Sequence, residues 1–210
     1  MSLAVAFSGI PVDGFAARSR LPGMERLVGL LYEVGLLKRY KRTGWLVAGV
    51  RDPESIADHS LRTAIIASVL AAMEGADPER AALLSLFHDS QETRLTDIPY
   101  LARPYVTKAS NERVTADQTA GLPEAVARMI TGVVDEYEGR ASAEAVCARD
   151  ADKLECLLQA VEYREHGNAN TQPWIDSSLA QLRTETARRL AEEALRTGSM
   201  EWYKRAMDGA

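Results

Sequence analysis

The stretch SLFHDSQETRLTDIP, residues 85 to 99, sets His88 directly against Asp89 and follows with Glu92 and Asp97. The 210-residue chain has only 3 histidines. Imidazole and carboxylate together suit a borderline or hard divalent cation. If the segment is helical, His88 and Glu92 at i,i+4 and Asp89 and Glu92 at i,i+3 share neighbouring parts of one face. The preceding residues Leu83, Leu84, Leu86 and Phe87 are apolar, so the cluster lies where a core helix leaves the interior. An unpaired buried carboxylate costs on the order of several kcal/mol, so such a group needs a hydrogen-bonded partner or a metal. A His-Asp doublet alone is weak evidence; two further residues strengthen it. His59 stands in ESIADHSLRTA, and Asp152 in RDADKLECLLQAVEY, beside the apolar positions Leu154, Leu157, Leu158 and Val161. Aspartate is a poor mid-helix residue, so one next to an apolar face calls for a reason. Asp150 competes with Asp152 for that role, and an ordinary surface charge remains the plain alternative.

The elements that must position these residues read as helices almost throughout. Leu27, Leu30, Leu31, Val34 and Leu37 form one stripe at helical period, which predicts a helix over 24–40. TGWLVAGVRDP is punctuated by Gly and Pro and reads as a loop or short extended piece. Ser55 with Asp58 three residues on forms a capping signal for a helix that Gly75 ends. Asp77 as N-cap and Pro78 at N1 start the next helix, which the pattern carries through the His88–Glu92 segment. Further helices are predicted over 123–137, 142–166 and 174–206. With no strand alternation, repeat or linker, the chain reads as a single all-α domain over residues 1–210. Its motif-bearing core is about 44–163, with helices 24–40 and 174–206 packed on it.

Composition narrows the function classes. A net charge of -5 excludes the diffuse positive field that grips a nucleic acid polymer, though local basic residues could hold a phosphate. With 46% hydrophobic residues the chain can bury a sizeable core. The two cysteines, Cys147 and Cys156, make neither a disulfide framework nor a short metal pair and fit buried thiols in a reducing compartment. No run of residues reads as a membrane span, and MSLAVAFSGIPVDGF lacks the regions of a secretory signal. The expectation is a cytoplasmic protein with no membrane partner, and the amphipathic C-terminal segment either packs on the core or contributes to a homodimer.

His59, then His88-Asp89, then a late aspartate resembles the HD-domain metal-dependent phosphohydrolases. DPESIADHSLRTAIIA, ALLSLFHDSQETRLTDIP and DADKLECLLQAVEY are similar to the 5'-deoxynucleotidase branch of that superfamily, in order and at suitable spacing over about Gly44 to Tyr163. The resemblance implies an all-α HD-domain helical bundle in which His59, His88, Asp89 and Asp152 hold one divalent ion (Mn, Co, Mg, Ni, Zn or Fe). It implies Glu92 and Asp97 as an acid/base pair beside the metal, and Trp45 in a nucleotide pocket. Arg42 substitutes for an arginine that the branch carries next to that tryptophan, and Lys108 is the candidate phosphate contact. Where the branch has glycine before the second aspartate, this chain has Thr96, which predicts a shifted loop.

The implied chemistry suits the residues. A divalent ion polarises a phosphoryl oxygen and lowers the pKa of bound water, and two His with two Asp leave coordination positions open. Neighbouring carboxylates push their pKa values apart, which permits one acid and one base. The expected activity is removal of the 5'-phosphate from (deoxy)nucleoside monophosphates. The alternatives are hydrolysis of a cyclic nucleotide diester or a nucleoside triphosphate, or a nucleotide-binding regulator without turnover.

Overall fold

A computed structural model describes residues 23–209. The MSLAVAFSGIPVDGF segment and the start of the expected 1–210 domain lie outside the described residues. The described residues form eleven α-helices and no strand: α1 Met24–Val34, α2 Gly44–Val47, α3 Ile56–Glu74, α4 Pro78–Phe87, α5 Glu92–Leu95, α6 Asn111–Thr119, α7 Glu124–Gly139, α8 Ala143–Glu165, α9 Gln172–Leu179, α10 Glu185–Arg196 and α11 Glu201–Asp208. Among the described residues, β character is confined to an isolated antiparallel bridge, Lys41 to Ser55.

Local chemistry sets several ends. Ser55 and Asp58 form a reciprocal capping box that fixes the first turn of α3, and Gly75, at φ 75°, closes it in the left-handed region that L side chains resist. Asp77 accepts from the backbone N–H of Glu79 and Arg80 to start α4 behind Pro78. Other boundaries depart from the sequence pattern. The 24–40 stripe breaks at Gly35, where a tight 3-10 turn over Gly35–Lys38 replaces the helix. The punctuated loop contains the one-turn α2. The helix expected to run through Glu92 stops at Phe87, because His88 and Ser90 turn their side chains back onto the carbonyls of Ser85 and Phe87. The 174–206 segment breaks into α9, α10 and α11. Asp150 causes the first break: from α8 it accepts from Arg183 N–H, Thr184 N–H and the Thr184 hydroxyl.

The long helices α3 and α8 are the frame, packed on each other and on α4; α9 and α10 cover α8. Leu70, Leu84 and Leu157 are fully buried between them, contributing about 2 kcal/mol each. At 19 residues, α3 is long and apolar enough to cross a membrane, contrary to the expectation from sequence; here it is a packed core helix that carries Asp58, His59 and Arg62 in its first two turns. Its surplus apolarity is an outward ridge of Leu61, Ile65, Val69 and Met73. Neither α1 nor α11 has a buried residue; Glu33 ties α1 to Arg94, Thr93 and Gln118, and Ser199, just before α11, bonds to Glu165.

Candidate metal centre

Three segments converge on one point. The first turn of α3 supplies His59, the turn after α4 supplies His88 and Asp89, and the middle of α8 supplies Asp152. His59 Nε2 lies 3.2 Å from His88 Nε2 and 3.4 Å from Asp152 Oδ1. Asp89 Oδ2 lies 3.1 Å from His88 Nε2 and 3.8 Å from His59 Nε2. Both imidazoles and Asp152 are buried, while Asp89 is half-buried.

The far side of each ring fixes its proton. His88 Nδ1 lies 2.6 Å from the carbonyl of Ser85, an acceptor only, so Nδ1 donates. His59 Nδ1 faces the carboxylate of Glu155, so it too donates. These tautomers, assigned from the partners, turn two Nε2 lone pairs toward each other with two carboxylate oxygens alongside. The donors of His59, His88 and Asp89 all lie within 4.8 Å of one another, with Asp152 set against His59; such a set repels unless a cation sits among it, and it fits a divalent ion.

Electrostatics point the same way. Burial and Arg42 act against a charged His59, yet Glu155 and Asp152 outweigh them and push the ring up to about 10. The same surplus of negative charge that draws a proton would draw a metal ion. Burial also opposes charge on Asp89, but His88 and Arg42 hold its carboxyl well below the usual range. Burial, with Asp89 and Asp97 nearby, pushes the Glu92 carboxyl up to about 9. Glu92 Oε2 is buried with no hydrogen-bond partner among the described residues.

The remaining expected residues divide. Asp97 lies next to this group, and its Oδ2 accepts from the backbone N–H and hydroxyl of Thr43. Thr96, just before it, sits at φ 59° and ψ 168°, a conformation suited to glycine. Arg42 is drawn into the cluster: its guanidinium donates to Asp89 Oδ2 at 3.3 Å, and pairing of Arg42 N–H with the Glu54 carbonyl anchors its backbone beside the start of α3. Trp45 is 2% exposed, with its ring against Tyr163 and Trp174 rather than open to a ligand. It reaches the site through its indole N–H, which donates to Glu54 Oε1, 4.0 Å from Arg42. Burial and Glu155 push the Glu54 carboxyl up to about 7. Lys108 is exposed, and its ammonium donates to Asn111 Oδ1.

Three residues at the site were not singled out from sequence. Glu155, fully buried, holds His59 on one oxygen and takes two guanidinium N–H from Arg62 on the other. Arg62 also donates to Gln159 and Glu162. Glu155 follows Asp152 at i+3 among the same leucines, so the signal that marked Asp152 was present for it too. Lys153 lies 2.9 Å from Asp152 Oδ2, and nothing in its sequence context distinguishes it from a surface lysine.

The HD-domain family model matches residues 34–194, which spans every residue placed at the cluster. The chain belongs to the HD-domain family. The human protein named 5'-deoxynucleotidase HDDC2 is 35% identical over 164 residues, covering 76% of this chain and 80% of that protein. The protein named 5'-deoxynucleotidase hdd1 of Schizosaccharomyces pombe is 31% identical over 140 residues, covering 63% and 69%. The solved structure of a conserved hypothetical protein from Pyrococcus furiosus aligns at a TM-score of 0.67 with 32% identity, covering 81% of this chain and 99% of that one. As an HD-domain protein with an all-α fold, the chain is a metal-dependent phosphohydrolase, and the donor set at His59 and His88 fits the divalent ion that such an enzyme uses.

Proposed function

We propose that this chain removes the 5'-phosphate from deoxynucleoside monophosphates, with His59, His88, Asp89 and Asp152 holding one divalent ion. The observation that carries the reading is the convergence of the two Nε2 atoms, each ring already fixed through Nδ1. The names of the human and fission-yeast relatives support the substrate class. When bound, the ion polarises a phosphoryl oxygen and acidifies a water. Water attacks phosphorus, the bond from phosphorus to the 5' oxygen breaks, and that oxygen leaves as the nucleoside hydroxyl. Glu92 and Asp97 work as the acid/base pair: one takes the proton of the attacking water and the other returns a proton to the departing 5' oxygen, the raised carboxyl of Glu92 suiting it to the second part. Asp97 stands beside Glu92 on the turn it shares with Thr43. Arg42, poised on Asp89, faces the incoming phosphate.

The test is phosphate release by metal-stripped protein from a panel of 5'-deoxy- and ribonucleoside monophosphates. Mn, Co, Mg, Ni, Zn or Fe is restored singly, with His88→Ala as control. Metal-restored release that His88→Ala abolishes is the expected result. Full activity in Asp89→Ala would remove the metal assignment.

We also propose that two copies of the chain associate through α3. The ridge of Leu61, Ile65, Val69 and Met73 forms one wall of an open groove of about 190 Å³, in which Ile65 and Val69 face Ile66, Leu154, Leu158 and Leu190. A ridge next to a groove on one surface is self-complementary, which a two-fold contact requires. Ile65→Glu is expected to halve the sedimenting mass; an unchanged mass would exclude this face. The free thiols of Cys147 and Cys156 support a cytoplasmic location, which fractionation of the native cell would test.

A further inference from the structure

We propose that Lys153, with Arg42, grips the phosphate of the substrate, an inference that rests on the phosphohydrolase reading above. The two aspartates of the cluster are each paired with a cation: Arg42 lies 3.3 Å from Asp89 Oδ2, and Lys153 lies 2.9 Å from Asp152 Oδ2. Asp152 turns its other oxygen, Oδ1, toward His59, so Lys153 sits one carboxylate away from the imidazole pair. Its side chain is 33% exposed against 12% for Asp152, so Lys153 keeps a path to solvent while it holds the ligand carboxylate.

Charge makes this position useful. Asp89, Asp97 and Asp152 crowd the point where a dianionic monoester must arrive, with Glu92 beside them. The ion supplies positive charge at the reacting oxygen, but the remaining phosphate oxygens would still face carboxylates. Among the described residues, Arg42 pairs with Asp89 and Lys153 with Asp152, each a cation held against a carboxylate of the cluster. Arg42 lies near enough to Lys153 to act on its ammonium. A lysine is a flexible point charge, so Nζ can pivot from Asp152 Oδ2 to a phosphate oxygen without moving α8. Lys108, the phosphate contact expected from sequence, is exposed and bonded to Asn111.

The experiment uses the full chain loaded with the activating ion and reads binding of inorganic phosphate by calorimetry, alongside kcat and KM for a monophosphate. Lys153→Met is compared with Lys153→Arg and Lys108→Met, and affinity for the ion is titrated separately on each. Lys153→Met is expected to weaken phosphate binding and raise KM by about tenfold or more, as loss of one charge-assisted contact should. Ion affinity stays at the wild-type value, Lys153→Arg restores most of the loss, and Lys108→Met changes nothing. Weakened ion binding with unchanged phosphate binding at saturating ion would reduce Lys153 to a prop for Asp152 and overturn the proposal. Unchanged phosphate binding and KM would overturn it as well. If wild-type protein releases no phosphate from any monophosphate, the nucleotidase reading fails, and phosphate binding still decides the role of Lys153.

Discussion

Asp150 and Asp152 stand two residues apart on α8 and face different parts of the molecule. Asp150 receives three hydrogen bonds from the turn between α9 and α10, at Arg183 N–H, Thr184 N–H and the Thr184 hydroxyl. Asp152 points Oδ1 at His59. The two should therefore separate cleanly by mutation. Asp150→Ala strands those donors and is expected to destabilise the fold by about 2–4 kcal/mol, since bonds to a charged group are the strong ones, with ion affinity kept. Asp152→Ala is expected to lose the ion with little change in the urea midpoint of the ion-free protein. Denaturation and calorimetry on both variants check this; ion loss in Asp150→Ala at full stability would reverse the assignment.

Glu155 is the outer partner of His59, and Arg62 holds Glu155 in place. A carboxylate behind a ligating imidazole fixes its tautomer and raises its basicity. Glu155→Gln is expected to weaken ion affinity by about 10- to 100-fold, the usual cost of losing such a partner. Direct titration of the ion measures this without reference to turnover. An affinity equal to wild type would mean that His59 is oriented by its packing alone.

The sequence was legible where one local rule acted alone. Ser55, Asp58, Gly75, Asp77 and Pro78 place the ends of α3 and the start of α4 because capping depends on neighbours in the chain. It was illegible where a distant group overrode the period. The break between α9 and α10 depends on Asp150, more than thirty residues earlier. The halt at Phe87 depends on His88 and Ser90 taking backbone carbonyls. α6 escaped notice because Thr115, Gln118 and Thr119 are polar yet buried, and Gln118 reaches Glu33, Ser90 and Thr93 by hydrogen bonds that no periodicity reveals. At the site, the histidines and aspartates announced themselves by type. Lys153 and Arg62 are residues of kinds that usually face solvent; Arg62 gains its partners on α8 only when α3 packs there, and Lys153 pairs with its neighbour Asp152, whose place at the site the assembled helices decide.

Thr96 carries a β-branched side chain in a backbone conformation that glycine tolerates and threonine resists. Such a residue costs about 1–3 kcal/mol of strain. Thr96→Gly removes it, against a loss of roughly 0.5–1 kcal/mol from the greater freedom of glycine in the unfolded chain. The expected net effect is a rise in Tm of about 2–4 °C, the shift that about 1 kcal/mol produces in a chain of this size. A lowered Tm would mean that the Thr96 side chain makes contacts worth more than the strain.

Asp97 joins two roles that one substitution can separate. Its Oδ2 accepts from the backbone N–H and hydroxyl of Thr43, so it holds the turn that carries Arg42. It also acts on the carboxyl of Glu92. Asparagine keeps an acceptor oxygen for Thr43 but cannot exchange a proton. Asp97→Asn is expected to retain ion and phosphate affinity while kcat falls by about 100-fold or more, the range for loss of an acid/base group. Unchanged kcat would leave Asp97 with the anchoring role only.

Glu33 shows how acid should loosen the edge of the fold. Hydrogen bonds from Arg94, with smaller contributions from Gln118 and Thr93, outweigh burial and lower its carboxyl from 4.5 to about 2. A carboxyl depressed in the folded state adds stability that is complete above the unfolded value and disappears as pH falls through the folded one. The contribution of Glu33 is therefore present above about pH 4.5 and lost between there and about pH 2. It acts on the contact of α1 with α5 and α6, because its partners stand on those helices. Glu33→Gln is expected to lower the urea midpoint at pH 6, with the gap from wild type narrowing as pH approaches 3. A gap that stays constant over that range would show that Glu33 acts through packing rather than through its charge.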